Sequence, residues 1–227
     1  MDNKLRQLLD NASPKFDDWI NTINHHNKAH QSLQQYSQDE STDLAYKVSA
    51  ILGEISELFF KYGSFKDKFD NSEMYINIYG LCVIIKSAKT NTTYYLGLDE
   101  RGVYLNTYLK DAKNIRHMDD TFYQDILELN SLGRFELLEN EFYGKETTKQ
   151  YPELFNNQKS TIFRLLRNYV VGMGREEQNI VLGDFEILWT YEDGFYEIIS
   201  NGCLAFKALY KLNYALWKIN DLKNKKK

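Results

Sequence analysis

The densest run of ligating side chains is Asn24-His25-His26-Asn27-Lys28-Ala29-His30, which holds three of the four histidines. On a helix, His26 and His30 stand one turn apart, and imidazoles at that spacing can share a transition metal. Two nitrogens leave half of a tetrahedral site unfilled, and no His-Glu-x-x-His pattern supplies a base for metal-bound water. A solvated polar helix face is therefore expected for His25, His26 and His30. His117-Met118-Asp119-Asp120 sets carboxylates beside an imidazole, the pairing that orients a general base. An aspartate just ahead of a helix is also an N-cap, and capping is the predicted role. Glu186 and Glu197 fall in strand-like runs without the Glu-x-Lys element of metal-dependent nucleases, so they are expected to face outward. The chain has no Gly-x-Ser-x-Gly elbow, no phosphate-binding Gly-x-x-x-x-Gly-Lys loop and no Rossmann glycine fingerprint. No catalytic residue, metal ligand or cofactor is predicted.

Glu54 and Glu57 lie in Leu52-Gly53-Glu54-Ile55-Ser56-Glu57-Leu58. Two carboxylates three apart on a helix offer the hard oxygens that magnesium prefers. This fragment resembles the first Glu-x-x-Glu element of the all-α nucleoside triphosphate pyrophosphatases, and that resemblance implies metal-dependent hydrolysis. It covers about seven residues. The second acidic helix of that family, with Glu-x-x-Asp, is absent, and strand-like segments follow instead. A solvated or capping face is the expected role of both glutamates.

Charge distribution carries more information than any motif. Between His117 and Glu146 stand eight acids, Asp119, Asp120, Asp125, Glu128, Glu136, Glu139, Glu141 and Glu146, against Arg134 and Lys145. Phe122, Tyr123, Phe142 and Tyr143 are interleaved with them. Acids steer a basic partner towards the surface and aromatic anchors supply buried contact area. Asp119, Asp120, Phe122, Tyr123, Glu136, Glu139, Glu141 and Tyr143 are accordingly the predicted partner-binding residues. The far end is basic: from Cys203 onward Lys207, Lys211, Lys218, Lys223 and Lys225 to Lys227 face a single acid, Asp221. Little arginine and no glycine-aromatic RNA-binding signature make a solvated lysine face the expectation there.

Periodicity defines the elements that must position these residues. Phe16, Trp19, Ile20 and Ile23 recur at helical spacing after Ser13-Pro14, a good helix start. Leu44, Val48, Ile51, Leu52, Ile55, Leu58, Phe59 and Tyr62 make the strongest helical face, ended by Gly63. The period then becomes strand-like over 74–79, 81–86, 92–98 and 103–109, with connections too short for parallel crossovers. A helix is predicted over 119–130, and 134–143 is ambiguous. A second amphipathic helix over 160–173 should bury Ile162, Phe163, Leu166, Tyr169 and Val170 and end near Gly172 and Gly174. Residues 185–191 and 195–200, joined through Asp193-Gly194, read as a hairpin. A last helix over 203–222 carries Phe206, Leu209, Leu212, Leu216 and Ile219.

With 43% hydrophobic and 26% charged residues in a chain of 227, the composition is that of a folded globular protein. The expected class is α+β, antiparallel hairpins packed with amphipathic helices. The expected organisation is an N-terminal helical extension (1–40), one domain (41–222) and a basic tail (223–227). No run reaches the eighteen or so apolar residues of a membrane span, and no signal-peptide core is visible, so a cytoplasmic chain without a membrane partner is expected. Cys82 and Cys203 are predicted to be buried, reduced thiols. Together these features favour a bacterial immunity or antitoxin-type inhibitor that covers a toxin's active surface, a basic one where the toxin is a nuclease, over a metal-dependent hydrolase or nuclease or a nucleic-acid-binding regulator. No nucleic-acid partner is assigned.

Overall fold

The computed structural model describes residues 2–31, 38–77, 80–138, 161–177 and 179–224. Helix α1 (Asn3–Ala12) begins where the Asp2 carboxylate accepts the Leu5 N–H at 2.7 Å, and it buries Leu5, Leu9 and Ala12 at helical spacing. A 3-10 turn (Ser13–Lys15) with Pro14 in its first turn leads into α2 (Phe16–Gln31). Phe16, Trp19, Ile23, His26 and Ala29 make the buried side of α2. In α3 (Gln38–Gly63), all eight apolar residues from Leu44 to Tyr62 that define the sequence face are buried.

Strands β1 (Phe69–Asn77), β2 (Gly80–Ser87), β3 (Thr93–Asp99) and β4 (Gly102–Tyr108) follow. A short 3-10 helix (Ala112–His117), α4 (Asp120–Glu128), β5 (Arg134–Leu138), α5 (Thr161–Gly174), β6 (Asp184–Trp189) and α6 (Phe195–Asn224) complete the order. The six strands form one antiparallel sheet in the order β1-β2-β3-β4-β6-β5, and the class is α+β. Register places Met74 opposite Val83 and Ile85 opposite Tyr94, with a bulge between Asp70 and Glu73. Gly102 holds φ +147°, and a Cβ there would run into the Trp189 carbonyl oxygen, so this turn admits glycine alone.

The second half of the hairpin expected at 185–200 is not a strand. Residues 195–200 open α6 instead, the longest helix among the described residues. Asp193 closes a turn, its carboxylate accepting the Thr190 N–H at 2.7 Å, and the Ile198 N–H makes a helical bond to the Gly194 carbonyl at 2.9 Å. Asp193-Gly194 therefore launches a helix. Ile198, Ile199, Cys203 and Phe206 are buried along it, so the helical period runs straight through Asn201-Gly202. Gly202 is no stop: a Cβ there would lie 2.8 Å from the Phe59 ring, and its absence lets the ring approach. Glu197 consequently sits on α6 and not in a strand.

The chain divides into two compact units, each built from two separate stretches. The first comprises residues 1–105 and 188–207, and the second 106–187 and 208–227. In the first unit, Phe206 lies against Phe59, Phe60, Phe65, Phe69 and Tyr94, with ring centroids 4.9–5.7 Å apart. Cys82 and Cys203 are free and buried there, and burial pushes the Cys203 thiol up to about 12. In the second unit, the core includes Ile115, Phe122, Ile126, Leu137, Leu165, Phe185 and Leu212. No helix among the described residues is long and apolar enough to cross a membrane.

Candidate interaction face on the second unit

The acidic-aromatic stretch folds into α4, the 3-10 turn after it and β5. Asp119 is the N-cap of α4, its carboxylate accepting the Phe122 N–H at 3.2 Å. Phe122 is 4% exposed and belongs to the core, so it offers no contact area to a partner. Tyr123 is half-buried: its hydroxyl donates to the Ile115 carbonyl at 3.2 Å, and burial raises its pKa. Asp125 pairs with Lys211 of α6 at 2.7 Å, and Glu136 pairs with Arg134, also at 2.7 Å. The acidic middle and the basic end of the sequence thus neutralise each other in part within this unit. Asp120 remains exposed in the first turn of α4. Glu139, Glu141 and Tyr143 lie outside the described residues.

The sequence missed what α5 does. Its expected buried set was Ile162, Phe163, Leu166, Tyr169 and Val170, but the helix is turned so that Leu165, Asn168 and Gly172 face inward. Three contacts fix that rotation. Asn168 Nδ2 donates to the Leu182 carbonyl at 2.8 Å, Arg164 Nη2 donates to the Leu137 carbonyl at 2.6 Å, and Gly172 lets Ile180 come close. Each satisfies a polar group or a close approach that a bulky apolar side chain would forfeit. Phe163, Leu166, Val170 and Met173 are consequently 36%, 38%, 65% and 40% exposed. Their spacing of three, seven and ten residues makes one continuous row. Leu127, 51% exposed, stands one turn after Tyr123 on α4, which packs on α5. α5 carries a broad apolar arc, and its inner side lies at one edge of that arc, where Leu165, Asn168 and Gly172 stand.

The ligand-like clusters of the sequence do not assemble. His26 is buried on the core side of α2, His25 is exposed, and the His30 side chain lies outside the described residues. Glu54 forms an ion pair with Lys15 at 2.5 Å, and Glu57 accepts from Asn71 Nδ2 at 3.3 Å. Among the described residues, no three His, Cys, Asp or Glu side chains come together as a metal site. His117 Nε2 accepts from Arg116 Nε at 3.2 Å. It lines an open cleft of about 300 Å³ with Asp119, Asp125, Lys211 and Lys218. Glu186 is buried. Lys207 lies 5.0 Å from the Tyr62 ring centroid, a cation–π contact in the first unit. Comparison with family models, curated proteins and solved structures gives no match.

Proposed function

We propose that the chain is a protein-binding module whose interface is the outward side of α5 with the neighbouring part of α4. The observation that carries this reading is the exposed row Phe163, Leu166, Val170 and Met173. Isolated exposed apolar side chains are ordinary, but four in register on one helix form the kind of patch that marks an interaction surface. Asp120 and Glu128 at the two ends of α4, and Glu176 just past α5, are exposed carboxylates on or next to the same two helices. A partner presenting an apolar strip flanked by lysine or arginine fits it, with the carboxylates steering encounter and the row supplying contact area. In its concrete form the module is an immunity or antitoxin-type inhibitor that acts by covering a basic surface of its target.

The test replaces Leu166 and Val170 together with Asp, which leaves the inner contacts of α5 intact. Partners are captured from the native host with the parent chain, this variant and a control carrying Tyr46→Asp in the first unit. The reading predicts a partner retained by parent and control and lost by the α5 variant, with affinity falling as salt rises. A partner retained equally by all three, or none with the parent chain, sinks it.

A further inference from the structure

The second unit holds a cavity of about 380 Å³, within the range of about 300–1,000 Å³ typical of small-molecule sites. One side is the end of β4 and the 3-10 helix after it, another is the approach to β6, and Asn220 of α6 completes the lining. Leu109, Ala112, Ile180 and Leu182 are buried and form an apolar floor. Tyr108, 36% exposed, adds an aromatic wall, while Lys110, Asp111 and Lys113 bring one carboxylate between two cations.

The polar side of this cavity is held in place before any ligand arrives. Asp111 has φ +58°, the left-handed conformation that aspartate and asparagine adopt more readily than other non-glycine residues. Asn220 Oδ1 takes a hydrogen bond from Asn114 Nδ2 at 2.8 Å. Asn114 also donates to the Leu216 carbonyl at 3.0 Å and accepts from Lys223 Nζ at 3.1 Å. The Lys110 N–H is fixed to Asn213 Oδ1 at 3.0 Å. Burial raises the Asp111 pKa, against the opposing pull of the Lys110 charge and the Asn220 amide. A half-buried carboxyl beside an apolar floor gains when a ligand brings it N–H donors. Two lysines close by gain from an anion, and an exposed tyrosine ring beside the floor suits a planar heterocycle.

We propose that this cavity binds a nucleoside monophosphate, with the base between Tyr108 and the apolar floor and the phosphate at Lys110 and Lys113. Guanine is the base that fits Asp111, because its adjacent ring and exocyclic N–H groups can engage both carboxylate oxygens, whereas adenine and uracil do not offer that pair. The site belongs to the second unit and is independent of the α5 row.

Isothermal titration of the full chain with GMP, AMP, UMP, guanosine and inorganic phosphate tests the assignment. GMP should bind saturably and most tightly, with guanosine weaker through loss of the phosphate contacts. Asp111→Asn should weaken GMP binding about tenfold or more, the loss expected for a charge-assisted pair. Asparagine tolerates the left-handed conformation, so this variant keeps the loop, and circular dichroism checks that it does. No saturable GMP binding at millimolar concentration overturns the proposal. So does equal affinity for GMP and UMP, phosphate binding as tight as GMP, or GMP binding unchanged in the folded Asp111→Asn protein.

Discussion

Replacing Asn114 with Ala should destabilise the second unit by about 2–4 kcal/mol. The side chain is 3% exposed and makes three hydrogen bonds, donating to the Leu216 carbonyl and Asn220 Oδ1 and accepting from Lys223 Nζ. The two neutral bonds contribute about 0.5–1.5 kcal/mol each. The bond from Lys223, whose side chain is exposed, adds well under 1 kcal/mol after solvent screening. The remainder comes from leaving Asn220 Oδ1 without that donor and from the small void where the amide stood. Asn114→Asp keeps the shape but turns carboxylate oxygens towards two acceptors. It should cost at least as much at neutral pH and less on acidification, because protonation restores a donor. Urea denaturation followed by circular dichroism gives the free energies, and hydrogen exchange over 109–117 and 212–223 localises the change. A loss below about 0.5 kcal/mol for Asn114→Ala, the usual surface value, would refute the claim that this network fixes the loop.

Phe206→Ala removes the ring that five aromatic neighbours share and should lower stability by about 3–5 kcal/mol in chemical denaturation. Gly202→Val forces a side chain against the Phe59 ring and should cost about 1–3 kcal/mol, read as a fall in melting temperature. A double-mutant cycle on Asp125 and Lys211, whose side chains are 20% and 63% exposed, should give a coupling of only about 0.2–1 kcal/mol that shrinks with added salt. Stability should also fall at alkaline pH. Burial raises Cys203 and Tyr62 to about 12, with Asp2 reinforcing the shift of Tyr62, so both stay protonated in the fold after the unfolded chain has lost those protons. Their stabilisation is complete below the unfolded values and is lost as pH rises towards 12, at up to about 1.4 kcal/mol per pH unit for each group. Cys203→Ala should flatten that slope in denaturation midpoints measured across the range.

Elements with a single apolar face were legible in the sequence. The spacing from Leu44 to Tyr62 gives α3 directly, because one side of that helix is buried and the other is not. The four strands between 69 and 108 are marked by runs of β-branched and aromatic residues, and their short turns favour antiparallel pairing, but β1 begins at Phe69, five residues ahead of its run, where Asp70 to Glu73 carry no such pattern. Asp193-Gly194 misled because the same two residues serve a hairpin turn and a helix start. Only the continued period through Ile198, Ile199 and Cys203 separates the two, and Gly202 masks it. The rotation of α5 was illegible for another reason: where an apolar arc is broader than the side that is buried, the inward residues are chosen by contacts from distant segments, here Leu137, Ile180 and Leu182. Charge runs along the chain separate an acidic middle from a basic end, but the pairing of Asp125 with Lys211 depends on the fold.

The discontinuous make-up of the first unit has a consequence for the order in which the protein is made. Residues up to Leu105 leave the ribosome well before Phe206, which completes the aromatic cluster around Phe59, Phe60, Phe69 and Tyr94. About one hundred residues separate the two stretches, so at about 5–20 residues per second the nascent chain waits roughly 5–20 s for its last ring. During that interval these aromatic side chains lack their central partner. The unit closes only when the start of α6 arrives, so its two stretches must meet after the whole of residues 106–187 has been made.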